Sequence, residues 1–225
     1  MAANPAFIYQ PAMSPYLDIL YQDDALVVLN KSSGLLSVPG RLPEHQDCLQ
    51  HRVSRVLPKA SIVHRLDMAT SGIMLMALSK RAHVAISQQF EKRLTEKRYI
   101  ARVYGAVKAS EGSIELPLSC DWPNRPKQKV DQLQGKKALT HYRVLSLDEK
   151  GQGSTLVELT PVTGRSHQLR VHMLALGHPI LGDRLYAHNN ALTASPRLQL
   201  HAQMLAITHP VSGEKLTFFA QCPFT

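Results

Sequence analysis

The chain is poor in cysteine and has no long apolar run. Its 225 residues include three cysteines, Cys48, Cys120 and Cys222, which stand far apart and form no CxxC pair. This spacing excludes a disulfide scaffold and a cysteine-based zinc site, and a cytoplasmic location is the simplest setting for it. No stretch of about eighteen apolar residues occurs, and the N-terminus lacks a basic start. We therefore expect neither a membrane span nor a signal peptide.

Acidic side chains are fewer than basic ones. The chain has 17 Asp plus Glu against 26 Lys plus Arg, which gives a formal net charge of +9 and a sequence pI of about 9.6. A basic excess of this size favours a polyanionic partner, and nucleic acid is the leading one. The composition, 44% hydrophobic and 19% charged, is typical of a soluble globular protein.

Nothing in the sequence separates one domain from another. It has no internal repeat, no low-complexity tract and no Ser/Gly linker. Residues 1–15 carry Pro5, Pro11 and Pro15 among small and polar neighbours, so we expect a flexible N-terminal arm there. We expect residues 16–225 to form a single domain, which is within the ordinary size for one hydrophobic core.

The hydrophobic pattern favours an α+β domain with a mixed or antiparallel central sheet, flanked by helices and loops. Strands follow one another in runs, whereas a purely parallel sheet would alternate strand and helix strictly. A hairpin is predicted over residues 17–30, followed by a Gly/Pro-punctuated loop over 31–40. The predicted helices span 47–58, 80–94 and 166–176, and the further strands span 61–63, 73–78, 97–107, 113–118, 138–147, 154–162, 198–208 and 215–220.

The most informative segment is residues 64–72, which read His-Arg-Leu-Asp-Met-Ala-Thr-Ser-Gly. Asp67 lies where the chain leaves one short apolar strand and enters a buried one, and functional sites are often built at such junctions. An Asp after a strand is also a common turn former or helix cap. Spacing alone therefore leaves both interpretations of Asp67 open.

Five ordered blocks of the sequence, residues 64–72 among them, closely resemble the RluA-type RNA pseudouridine synthases. The other four blocks span 30–40, 97–101, 164–172 and 197–202. The resemblance implies the pseudouridine synthase fold with a central RNA-binding cleft. It also implies isomerisation of uridine to pseudouridine without a cofactor. The chain departs from the family at Lys31-Ser32-Ser33-Gly34, where relatives usually have Lys-Pro-Ser-Gly, and this change should weaken the rigidity of the loop.

The resemblance implies three catalytic residues, Asp67, Tyr99 and Arg165. The N1–C1′ bond must break, the base must turn, and C5 must join the same sugar carbon, so the base has to flip out of its stack first. Asp67 either attacks C1′ directly or assists cleavage of the glycosidic bond and then stabilises the electron-poor sugar. The sequence does not exclude a third route, which is addition at C6 of the base. Tyr99 would stack on the base and help to remove the C5 proton, and Arg165 would pair with Asp67 to keep it charged.

Other residues are predicted to bind the substrate. Arg65 could stack on bases and pair with phosphate, although a structural ion pair is the alternative. Leu200 would form the apolar floor of the pocket. Residues 120–130 form a Pro-stiffened basic loop that holds the only Trp and is similar to the loop of a family member acting on 23S rRNA and tRNA anticodon stem-loops. The predicted set is Arg65, Leu200, His64, Trp122, Arg125, Lys127 and Lys129.

Two other functions compete with RNA isomerisation. A non-catalytic RNA-binding protein could use the same fold, although it would need none of Asp67, Tyr99 and Arg165. A glycosidase or nucleosidase would need a second carboxylate near Asp67, and the motif offers only one. We expect no metal site, because His64, His167, His172 and His201 lack both HExxH spacing and acidic partners.

Structured RNA is the one partner that the sequence predicts. Many relatives carry an added N-terminal RNA-binding module of the S4 type, whereas only about fifteen residues precede the first predicted strand here. We therefore expect the catalytic domain itself to select the RNA. No obligate protein partner is evident, and a monomer is expected.

Overall fold

A computed structural model describes residues 9–148 and 153–225. None of the helices in these residues is both long and apolar enough to cross a membrane. The helices are α1 (Leu49–Ser54), α2 (Lys80–Glu91), α3 (Gln168–Ala175) and α4 (Asn189–Thr193). The strands are β1 (Ile19–Gln22), β2 (Leu26–Lys31), β3 (Ser61–Ile62), β4 (Ser71–Ala77), β5 (Glu96–Tyr104), β6 (Glu111–Glu115), β7 (Leu118–Cys120), β8 (Gln128–Val130), β9 (Leu139–Asp148), β10 (Ser154–Pro161), β11 (Leu200–Thr208) and β12 (Lys215–Phe219).

Ten of these strands form one mixed sheet. Its order is β1-β2-β4-β11-β5-β10-β9-β6, with β3 paired to β4 and β12 paired to β11. Within the described residues β4 and β11 pair in parallel and the other neighbours are antiparallel. The expected α+β architecture on a mixed sheet is therefore confirmed. The strand predicted over 113–118 is divided between β6 and the separate β7–β8 hairpin, because Pro117 cannot donate a ladder hydrogen bond.

The core lies on both faces of the sheet, with β4 between two layers. All seven residues of β4 are buried, and successive side chains point to opposite faces. Leu75 packs in a cluster with Ala82 and Ile86 of α2, whereas Met74 packs with residues of α1 on the other face. Helix α2 ends at Glu91, short of the predicted residue 94, because the chain turns sharply through a left-handed residue soon after it.

The parallel contact between β4 and β11 positions the functional site. Ser71 lies opposite His201 and Gly72 lies opposite Ala202. Gly72 has a φ of 111°, and a Cβ atom there would collide with the backbone of Ala202. Only glycine permits this approach, which brings the start of β11 against the turn that carries Asp67.

Part of the expected N-terminal arm is bound to the domain. Tyr9 is buried, and its hydroxyl donates to the Asp47 carbonyl (2.6 Å) and accepts from the Leu36 N–H (3.0 Å). The guanidinium of Arg52, 1% exposed, donates to the carbonyl of Ala12 (2.9 Å) and pairs with Asp47 (2.7 Å). The expected arm therefore contacts the domain through Tyr9 and Ala12, and the Ala12 carbonyl supplies one of the acceptors that the buried guanidinium needs. The rest of the arm, residues 1–8, lies outside the described residues.

Candidate active site

Asp67 lies in the loop between β3 and β4, on a backbone that a second loop holds in place. Ser37 Oγ donates to the Leu66 carbonyl (2.6 Å) and accepts from the Leu66 N–H (3.2 Å). Ser33 Oγ donates to the Ala69 carbonyl (2.7 Å). The chain on both sides of Asp67 is thus tied to residues 31–37. This arrangement orients the carboxylate before any substrate binds.

Lys31 is the centre of this support. Its side chain is fully buried, and Nζ donates to the carbonyls of Ser32 (2.9 Å), Leu35 (2.8 Å) and Met68 (3.0 Å). Burial lowers the pKa of Lys31 to about 7, and the negative charge of Asp67 acts in the opposite direction. These three bonds fix the loop of residues 31–37, which contains no proline.

The cationic partner of Asp67 is Arg170, on the first turn of α3. Its Nη1 donates to Asp67 Oδ2 (3.1 Å), while its Nε and Nη2 donate to Asp183 (2.8 and 2.6 Å). The side chains of Arg170 and Asp183 are 5% and 1% exposed, against 30% for Asp67. Burial would lower the pKa of Arg170, but the bonds and charges of Asp183 and Asp67 raise it. One fixed guanidinium therefore joins a buried carboxylate to an accessible one.

The predicted pair between Arg165 and Asp67 is wrong in this structure. Arg165 precedes α3, is exposed, and donates from Nε to the Lys137 carbonyl (3.1 Å). Its backbone N–H is held by Gln168 Oε1 (3.0 Å). Because α3 begins only at Gln168, the side chain that reaches Asp67 comes from the helix and not from the loop before it. Arg165 still lines the cavity described below.

His167 is a second neighbour of Asp67, with Nε2 3.8 Å from Oδ2. It adopts a left-handed conformation (φ 53°, ψ 17°), which is uncommon for a residue with a side chain and clusters at functional sites. Its Nδ1 lies 2.6 Å from the hydroxyl of Tyr186, which accepts from the Gln128 N–H (2.8 Å). Burial raises the pKa of Tyr186 to about 12, so its hydroxyl stays protonated and donates to His167.

The carboxylate opens into a cavity of about 120 Å³. Five of the predicted site residues line it: Arg65, Asp67, Tyr99, Arg165 and Leu200. Tyr99 forms an aromatic wall, and burial, helped by the charge of Asp67, raises its pKa. Leu200 is 3% exposed and supplies an apolar surface. Arg65 is exposed and has no hydrogen bond or ion pair within residues 9–148 and 153–225.

The structure places His64 away from this cavity. Its Nε2 accepts from the Leu75 N–H (3.0 Å), and its ring stacks on Phe90 with 4.5 Å between centroids. Burial, and then the charge of Lys97, lowers the pKa of His64 to about 3. The expectation that His64 binds substrate is corrected: the neutral ring satisfies a backbone donor of β4.

The basic loop between β7 and β8 lies outside the cavity. Trp122 is 68% exposed, and the guanidinium of Arg125 lies 4.5 Å from the centroid of its ring. Lys129 is exposed on β8, and Lys127 is half-buried. The loop joins the active site through Gln128, whose N–H donates to Tyr186. Its exposed cations and aromatic ring are suited to phosphate and base contacts.

Several residues of the site were missed from the sequence. His167 and Arg170 stand three apart in the 164–172 block, which is the spacing of neighbours on a helix, and that signal could have identified them. Asp183 and Tyr186 give no such signal, since contacts distant in sequence bring them to the site. Within the described residues, no three His, Cys, Asp or Glu side chains are grouped so that they could hold a metal ion.

Comparison with known proteins identifies the family. A model of the RNA pseudouridylate synthases matches residues 25–175. The dual-specificity RNA pseudouridine synthase RluA of Escherichia coli K12 is 56% identical over 216 residues, which cover 96% of this chain and 98% of the relative. The chain belongs to the RNA pseudouridylate synthase family. RluA of Vibrio vulnificus is 53% identical over 194 residues, covering 85% of this pseudouridine synthase and 78% of the relative.

Solved structures of pseudouridine synthases share the fold. Human RNA pseudouridylate synthase domain containing 1 superposes with a TM-score of 0.78 at 29% identity, covering 99% of this chain and 88% of that one. Human RNA pseudouridylate synthase domain containing 4 superposes with a TM-score of 0.72 at 28% identity, covering 92% of this chain and 89% of that one. The expected fold and reaction class are confirmed: the protein is an isomerase that converts uridine in RNA to pseudouridine. The non-catalytic alternative is not supported.

Proposed function

We propose that this pseudouridine synthase modifies uridines in stem-loops of both 23S rRNA and tRNA, the latter in the anticodon arm. In this proposal residues 16–225 act as one catalytic domain, a cytoplasmic monomer that needs no cofactor. Three features support the choice of substrate: the +9 charge, the exposed Trp122 and Arg125 of the basic loop, and relatives that carry the name dual-specificity synthase. Exposed cations favour structured RNA over a free nucleoside.

The observation that carries the catalytic assignment is the Asp67–Arg170 pair at the wall of the cavity (3.1 Å). A flipped uridine enters with its base against Tyr99 and Leu200, and its C1′ faces the carboxylate. Arg170 holds Asp67 ionised and oriented, so negative charge is in place where the sugar becomes electron-poor. Arg65, unpaired at the rim, occupies the stack that the base has left.

Tyr99 contributes first as a stacking surface. Burial raises its pKa, so the protonated phenol is the resting form and a weak base. Its hydroxyl has no hydrogen-bond partner among the described residues, and the side chain lines the cavity. The ring therefore fixes the plane of the base, and the hydroxyl is available to a polar atom of the uracil.

Asp67→Asn tests the assignment, because it keeps the shape of the side chain and removes its charge. Unmodified transcripts of 23S rRNA and tRNA are incubated with wild type and variant, and pseudouridine is mapped. We expect both RNAs to be modified by the wild type, and the rate at saturating RNA to fall by at least about a thousandfold in the variant, with RNA affinity retained.

The outcomes separate the two parts of the proposal. Modification of only one RNA class by the wild type would contradict dual specificity while leaving Asp67 untouched. Turnover by Asp67→Asn within tenfold of the wild-type rate would refute the catalytic role of Asp67, whichever RNA is used.

A further inference from the structure

Lys97 is a cavity residue to which the reaction described above gives no role. It lies on β5 two positions before Tyr99, and because strand side chains alternate between faces, both residues face the cavity that they line. Their Cα atoms are about 7 Å apart along the strand. A nucleotide whose base stacks on Tyr99 thus places its backbone within reach of the lysine.

The side chain of Lys97 is half-buried, and its ammonium is unpaired. It has no hydrogen bond or ion pair within residues 9–148 and 153–225. Burial, and then the charge of Arg93, lowers its pKa, which is the mark of a cation without local compensation. Lys31, which is fully buried near the same site, differs because three carbonyls accept hydrogen bonds from its ammonium.

The charge balance of the cavity favours an anion. Its described lining contains four cations, Arg65, Lys97, Arg165 and Arg170, against one carboxylate, Asp67. Arg170 is neutralised by Asp67 and the buried Asp183. Arg65 and Arg165 are exposed to water, so Lys97 is the uncompensated cation that gains most from an incoming negative charge.

We propose that Lys97 binds a phosphodiester group that flanks the flipped uridine. A lysine acts on phosphate as a compact point charge, and burial strengthens the pair. The contact anchors the target nucleotide by its backbone while Tyr99 and Leu200 fix the base. This inference rests on the proposed function, because it names the RNA group bound at the same site.

Lys97→Met tests the proposal on a synthetic stem-loop that the wild type modifies. We expect KM to rise about tenfold, kcat to change by less than about twofold, and the salt dependence of binding to fall by roughly 0.7 in slope. Lys97→Arg should restore most of the affinity. Arg98→Met is the matched control. Arg98 follows Lys97 on β5 but lies on the opposite face, is exposed and is 3.9 Å from Glu158, so this variant should behave as wild type.

A scan with neutral methylphosphonate linkages identifies the phosphate. One linkage beside the target uridine should cost the wild type about tenfold in KM and cost Lys97→Met almost nothing more. Additive losses at every linkage, or a fall in kcat with unchanged KM, would overturn the proposal. The proposal would also be overturned if the effect of Lys97→Met on KM depended on replacing the target base by 4-thiouridine and did not depend on any methylphosphonate linkage, because the lysine would then contact the base. A wild type that modifies no RNA stem-loop would refute the proposed function, whereas a wild type that is active on its stem-loop beside a normal Lys97→Met variant would refute only this inference.

Discussion

The Asp67 turn and the β7–β8 loop have opposite physical designs. At the turn, charged groups are enclosed and paired: Arg170 and Asp183 are almost fully buried, and Lys31 is bonded to three carbonyls. On the loop, Trp122 and Arg125 are exposed and contact chiefly each other. A reaction on C1′ needs charge that is fixed and desolvated before the substrate arrives, whereas docking of a polyanion needs solvated charge that can adapt.

The contrast predicts that the two regions fail in different ways. Changes at the turn should affect the rate at saturating RNA and the free energy of unfolding. Changes on the loop should affect affinity and its salt dependence and leave the chemical step intact. One hydroxyl, that of Tyr186, joins them, because it contacts both His167 of the site and the Gln128 N–H of the hairpin.

The largest effect is expected from Arg170→Met. The substitution leaves Asp183, 1% exposed, without its cation, which should lower the free energy of unfolding by about 3–5 kcal/mol. It also releases Asp67, so kcat should fall at least about a hundredfold. Urea unfolding and single-turnover rates measure the two effects. Arg165→Met, which removes an exposed guanidinium, should lower kcat by less than about tenfold.

The Arg170→Lys variant guards against a simple loss of folding. It keeps the charge beside Asp183 but cannot bond two carboxylates in a fixed fork, so it should fold and still turn over slowly. A normal rate in Arg170→Lys would show that the reaction does not need the fixed fork. An inactive Arg165→Met beside an active Arg170→Met would return the pairing role to the loop residue.

These two arginines show how far the sequence reaches. The strand junction at Asp67, the α+β class and the cavity residues Tyr99 and Leu200 follow from local pattern and from resemblance, because they depend on neighbours in sequence. The choice between Arg165 and Arg170 depends on where α3 begins, and helix ends are set by capping contacts such as that of Gln168 Oε1. Lys31 and Asp183 act through contacts that only the folded chain brings together.

On the loop, neutralising three cations should weaken binding about ten- to hundredfold at physiological salt. The slope of log affinity against log salt should become shallower by roughly 2 to 3, while kcat at saturating RNA stays near wild type. An unchanged slope would place the loop away from the RNA. The variant replaces Arg125, Lys127 and Lys129 with Gln, and the control replaces the exposed Lys59, Lys80 and Arg81, of which the first two line a separate groove.

The free energy of unfolding should also fall in acid, because His64, just before the Asp67 turn, is neutral in the folded protein. An unfolded histidine takes up a proton near pH 6.5, whereas the folded pKa is about 3, so between these values protonation favours the unfolded chain. Stability present above about pH 6.5 should fall by up to about 1.4 kcal/mol for each unit below it. His64→Gln, measured by urea unfolding between pH 7 and 5, should lose less than wild type. Replacement of the exposed His188 by Gln should leave the pH dependence of the unfolding free energy as in wild type. If this free energy fell equally with pH in all three proteins, His64 would not be the cause of the acid sensitivity.

The smallest expected effect, and the one that most sharpens the comparison, comes from Tyr186→Phe. The ring and its contact with the Arg170 guanidinium (5.0 Å) remain, while the hydroxyl between Gln128 and His167 is lost. Loss of these bonds should lower kcat roughly three- to tenfold with an unchanged salt slope, because His167 is released beside Asp67 and no phosphate contact is removed. Tyr142→Phe, on a buried tyrosine that does not line the cavity, is the control. If Tyr186→Phe instead weakened RNA affinity at a normal kcat, the hydroxyl would support only RNA binding by the β7–β8 loop. The loop and the Asp67 turn would then be neighbours in space that act independently.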